Sequence, residues 1–178
     1  MTRAFAILSF FLFVSCRQGL NKTANKNTVK ENAEIKLIPF ELTVEDADHS
    51  MSNTLIYELT EKNLTIISRS DFNIVGIRKG ENTDTVFKTD LKPNAVLQKL
   101  SNINLDSLQE GYFNHCIIDG SQITVRLKNA NNIKEIHLSN YYQSDIGLII
   151  KLVNSLTPKD HKIWYDKKEL LKEMRRCK

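Results

Sequence analysis

Glycine is scarce: only six occur in 178 residues, and none falls into G-x-G-x-x-G or a P-loop. A glycine-rich turn that lets backbone amides cradle phosphate is therefore excluded. G-x-S-x-G is missing too, which removes the strand-to-helix elbow that presents a serine nucleophile. Histidine is equally sparse, and His49, His115, His137 and His161 include no pair at i, i+4 and no H-E-x-x-H. With three cysteines and no C-x-x-C, no metal-ligand spacing remains, so neither a metal nor any other cofactor is expected. Glu45, Asp46 and Asp48 offer oxygens for calcium, but without the alternating ligands and the glycine of an EF-hand loop. They read as an exposed acidic loop, "EDADHSMSN".

Positive charge is missing where nucleic acid would need it. The overall balance is +4, yet residues 31–166 hold 14 Lys/Arg against 19 Asp/Glu. The excess of base comes from the two ends, and Lys167–Lys178 alone carries six basic and two acidic residues. A mildly acidic body without a basic, aromatic-studded face excludes a nucleic-acid partner. With 41% apolar and 26% charged residues the composition is that of an ordinary globular domain.

What is present begins with the N-terminus. Met1-Thr2-Arg3 is a short basic start, and Ala4–Val14 is apolar except for Ser9. That run is about half of the ~20 residues a membrane-spanning helix needs, but it suits the apolar core of an export signal. It stops at Val14-Ser15-Cys16. This ending resembles the lipobox of bacterial lipoproteins, with Phe13 where Leu is usual. The resemblance covers residues 1–16 and implies that Cys16 receives lipid and becomes the first residue of the mature chain. It implies a membrane attached through that lipid as the first partner. Arg17–Lys30, "RQGLNKTANKNTVK", has four basic residues, no acid and almost no apolar bulk; it reads as a flexible tether. No acidic run follows Cys16, so the resemblance further implies a place in the cell envelope, on the outer membrane facing the periplasm.

Cleavage before Cys16 leaves enough chain for one domain, which the pattern starts near residue 31. Strand-like residues surround Ile35, Leu37 and Phe40, with Pro39 marking an edge or a strand end. Leu55, Tyr57 and Leu59 alternate, Glu61-Lys62-Asn63 turns the chain, and Leu64 and Ile66 return, which predicts a hairpin. A second hairpin is expected from Ile74–Arg78 and Thr85–Thr89. Pro93 suits the first turn of a helix whose Val96, Leu97, Leu100 and Ile103 form one stripe, and Gly111 marks a break. Between Cys116 and Leu138, Ile123, Val125 and Leu127 alternate with polar residues, and Ile136 and Leu138 follow after "NANN". This segment predicts a three-stranded antiparallel meander with one wet face. Ser144 caps a second helix with Ile146, Ile149, Ile150, Val153 and Leu156 inward. Ile163–Tyr165 is a candidate last strand, and Asp166 with Glu169 opens a final helix. The expected fold is α+β: an antiparallel sheet of hairpins and a meander, covered by two or three helices.

Chemistry is harder to find. His115-Cys116 invites a thiolate reading, but neighbouring strand residues face opposite ways. Cys116 and Cys177 are an even pair in an oxidising compartment, and a disulfide between them would tie the last helix to the sheet. The other reading is a buried thiol at Cys116 and a loose one at Cys177. Asp84-Thr85-Val86 and Asp106-Ser107-Leu108 resemble a short O-glycosylation signal of exported Gram-negative proteins. Tyr141, Tyr142 and Trp164 form a candidate contact surface for a partner, or else seal the edge of a core. Two functions stay open: a non-enzymatic domain that binds an envelope protein or peptide, and a periplasmic enzyme whose pocket gathers distant residues such as Cys116 or a histidine.

Overall fold

In a computed structural model of the chain, residues 35–47, 53–70, 73–74, 77–78, 82–117, 120–129 and 132–176 are described. All lie within the compact unit Glu34–Lys178. Cys16, the signal segment, the tether, His49 and Cys177 lie outside the described residues.

The strands are β1 (Phe40–Ala47), β2 (Asn53–Thr60), β3 (Asn63–Ser70), β4 (Asn73–Ile74), β5 (Ile77–Arg78), β6 (Asn82–Asp90), β7 (Gly111–Phe113), β8 (Gln122–Asn129) and β9 (Asn132–Ser139). The helices are α1 (Ala95–Ser101), α2 (Ser144–Leu156) and α3 (Lys167–Arg176). Seven strands form one sheet in the order β6-β3-β2-β1-β8-β9-β7, and β4 pairs with β5. The class is α+β, as the patterning indicated.

Alternation explains why this sheet has one wet face. In β1, Phe40, Leu42 and Val44 are buried, while Glu41, Thr43 and Glu45 point the other way. Leu42 lies opposite Leu59 and Leu127, and Val44 opposite Tyr57 and Val125, so the apolar residues of three strands share a face. Against that face pack Leu97 and Leu100 of α1 and Ile146, Ile149, Ile150 and Val153 of α2. Burying an aliphatic side chain contributes about 1.5–3 kcal/mol. Docking of α2, with five buried apolar residues, therefore outweighs its N-cap, worth ~1 kcal/mol.

Several expected details differ. The acidic loop is partly strand, because Glu45 and Asp46 continue the alternation begun at Phe40. Of the two places expected for Pro39 it takes the strand end, directly before β1, which is a central strand. Asn82–Asp90 does not fold back on Ile74–Arg78 but pairs with β3, placing Phe87 beside Ile66 and Thr89 beside Leu64. Among its described residues the Cys116–Leu138 segment supplies two strands, not three. Cys116 sits in a turn closed by the Ile117 amide donating to the Asn114 carbonyl at 3.2 Å. The sheet is not wholly antiparallel, since Gly111–Phe113 joins β9 in parallel.

Capping also shifts by a residue. Asn94, not Pro93, opens α1, its Oδ1 accepting from Val96 and Leu97. Gln143, not Ser144, caps α2. Asp166 Oδ1 does accept from the Glu169 amide at 2.8 Å, as its spacing predicted.

Ile163–Tyr165 is an irregular strap instead of a strand. Asn154 both accepts from and donates to the Ile163 backbone at 2.9 Å, and just before the strap Tyr57 Oη donates to the His161 carbonyl at 2.7 Å. Tyr165 Oη accepts from the Gln143 amide and donates to the Tyr141 carbonyl.

Candidate functional site

The helices cover one side of the sheet, so the other side is built from the intervening residues of each strand. On β1, β8 and β9 these are Thr43 and Glu45, then Thr124, Arg126 and Lys128, then Glu135 and His137. Their polar groups meet across strands. Lys128 Nζ lies 2.7 Å from Glu41 Oε1, and Arg126 Nε lies 3.9 Å from Glu135. His137 bridges two neighbours, with Nδ1 3.1 Å from Thr124 Oγ1 and Nε2 3.1 Å from Glu135 Oε1. All these groups are substantially exposed, so each ion pair contributes roughly 0–1 kcal/mol. Their energetic contribution is small; what they do is present a fixed pattern of charge.

Toward the Ala47 end this face dips into a trough of about 380 Å³, lined among others by Glu45, Arg69, Phe113, Gln122, Thr124 and His137. A smaller hollow of about 210 Å³ continues along Thr43, Arg126 and Glu135. Arg69 reaches Glu45 at 3.3 Å through Nη2, while its Nε is buried without a hydrogen-bond partner. A buried unsatisfied donor is uncommon in folded proteins. Phe113 is 52% exposed at the trough's far side and stacks on His115 at 6.1 Å. The trough thus offers an aromatic ring, a cation, a carboxylate and hydroxyl groups on one sheet face.

The sequence-derived candidates fall elsewhere. Tyr141 and Tyr142 are half-buried: Tyr141 packs on Tyr112 and Tyr142 on Tyr165, both at 5.3 Å between ring centres. Lys167 Nζ sits 5.6 Å above the Tyr142 ring. Trp164 is 52% exposed. Cys116 is exposed in the turn after β7, and the chain's other two cysteines, Cys16 and Cys177, lie outside the described residues. Thr85 is exposed on β6, and Ser107 is exposed in a turn after α1. Among the described residues no three of His, Cys, Asp or Glu are grouped to hold a metal, and no helix is long and apolar enough to cross a membrane.

One ionisable group stands out on the covered side. Burial pushes Asp46 up to about 6, against a hydrogen bond from the Trp164 amide that favours the charged form. Tyr57 is pushed well above its ordinary range by burial and then by the Asp46 charge. Burial does the same to Tyr165, opposed by the Gln143 amide. Asp46 borders a hollow of about 260 Å³ whose other lining groups, among them Asn53, Thr54 and Ser68, do not ionise. It thus lacks a second ionisable group there with which to share acid–base work.

Sequence reasoning missed Arg69, Glu45 and Phe113 as a group. The wet face itself was visible in the alternation of β8, but the lateral order that brings β3, β1 and β7 to one trough is set by long-range pairing. No family model, curated protein or solved structure matches this chain.

Proposed function

We propose that the protein is a lipid-anchored envelope lipoprotein whose folded domain binds a protein or peptide partner through the open sheet face. The observation that carries this reading is the uncovered polar face with its trough of Glu45, Arg69, Phe113, Thr124 and His137. A concave, rigid surface combining an aromatic ring with fixed charges is suited to recognition. In this reading residues 1–16 are the export signal, Cys16 carries the lipid, residues 17–30 are the tether, and the domain faces the periplasm from the outer membrane.

The experiment uses tagged full-length protein in bacteria fed a fatty-acid analogue, followed by capture from detergent-solubilised envelopes. Label on the wild type but not on Cys16→Ala is expected, together with a co-purifying partner that is lost in Thr124→Arg or Phe113→Asp chains of unchanged thermal stability. Label that survives Cys16→Ala contradicts the anchor. A partner retained by both face variants contradicts the binding face.

The same reading pairs Cys116 with Cys177. Closing a loop of about sixty residues stabilises a fold by roughly 4 kcal/mol in the chain-entropy model, enough to hold a terminal helix in place. Thiol counting on the unfolded, unreduced 34–178 domain should find no free cysteine; two free thiols per chain would refute the pairing.

A further inference from the structure

The last helix carries a feature that the open sheet face does not use. On a helix, residues at i, i+4, i+7 and i+8 share one side. In α3 these are Lys168, Lys172, Arg175 and Arg176, and all four are exposed. Leu170 is buried and Met174 half-buried, with Met174 Sδ accepting from the Tyr142 amide, so the cationic stripe points away from the packed side. Glu169 and Glu173 are half-buried, and Glu169 is paired with Lys172 at 3.3 Å. Just before the helix stands Trp164, the only tryptophan of the chain and 52% exposed. Exposed Lys162 and Lys167 flank it. Three residues of chain reach at most about 11 Å, so the backbone of Trp164 lies close to the first cations of α3. Residues 31–166 as a whole are net acidic, which makes this concentration of base a local feature.

We infer that the Trp164–Arg176 patch docks the domain onto an anionic phospholipid surface. Each part has its role there. Basic side chains near a membrane are attracted to anionic headgroups within a Debye length. An exposed indole settles at the headgroup level, where its apolar ring leaves water while its N–H keeps a partner. The inference does not rest on lipidation at Cys16, because the patch lies wholly within the folded unit.

The test uses residues 34–178, which contain the whole hydrophobic core and lack any lipid anchor; a cooperative thermal transition confirms folding. Vesicles of phosphatidylethanolamine with phosphatidylglycerol are compared with pure phosphatidylcholine vesicles by cosedimentation and by Trp164 emission. Binding to the anionic vesicles alone is expected, with a blue shift of emission and release at ~1 M salt, where the Debye length falls to ~3 Å. Lys168→Glu/Lys172→Glu/Arg175→Glu should weaken it at least about tenfold at unchanged thermal stability. Trp164→Ala should also weaken it, with the charges intact. Equal binding to both vesicle types, no binding to either, or anionic binding that leaves Trp164 emission unchanged would each overturn the inference.

Discussion

At the scale of single residues, Asp46 shows how burial and charge compete. Its carboxyl is held near 6 instead of 3.8, so the folded state takes up a proton more readily than the unfolded one. The sign follows from linkage: stability is gained as pH falls from about 6 toward 4, and the ionised group costs stability above 6. A shift of this size corresponds to about 3 kcal/mol at most at neutral pH. Asp46→Asn keeps an oxygen to accept from Trp164 and should raise the melting temperature at pH 7.5, with the gain vanishing near pH 4. A gain independent of pH would contradict the assignment. Gly147 is decided by packing alone. A Cβ there would stand 2.7 Å from Tyr142 Oη and 3.1 Å from two ring carbons, and that ring is fixed between Tyr165 and Lys167. Alanine is ordinarily better than glycine inside a helix by ~1 kcal/mol. Here the overlap should win, and Gly147→Ala should lose roughly 1–2 kcal/mol in denaturant unfolding. A stabilised variant would show that the ring yields freely.

At the scale of elements, what the sequence made legible was local. Ile123, Val125 and Leu127 alternate within one strand, and Ile146, Ile149, Ile150 and Val153 repeat within one helix, so each element declares its own buried side. Partnership between elements was not legible. Glu41 meets Lys128 across 87 residues of chain, and nothing near Glu41 announces that β1 divides the sheet. The parallel β7 is only three residues long, too short to show any period. Between Ile66 and Ile67 the β3–β6 register shifts, and this irregularity blunts the sheet edge formed by the long, exposed β6. The strap at Ile163 illustrates a different limit. Its apolar and aromatic residues read as a strand, but Asn154 and Asp46 satisfy its backbone, and both lie on other elements. The candidate site was legible to the same degree: a wet face could be read from β8, but its trough could not, because Arg69 and Phe113 reach it from strands five places apart in the sheet order.

At the scale of the whole molecule, the domain has two unlike surfaces. One face of the sheet is buried under α1 and α2, and the other presents cross-strand charges around a trough. Leu148 on α2 is exposed, but a single exposed apolar side chain is ordinary and calls for no partner. The proposed partner site is therefore the open sheet face. The most direct test puts a photoreactive amino acid in place of exposed Arg126 on the open face, or in place of exposed Leu148 on α2, in the full-length anchored protein, and irradiates intact envelopes. The account expects a discrete cross-linked adduct from position 126 and none from position 148. An adduct from position 148 alone, or none from either, would contradict it.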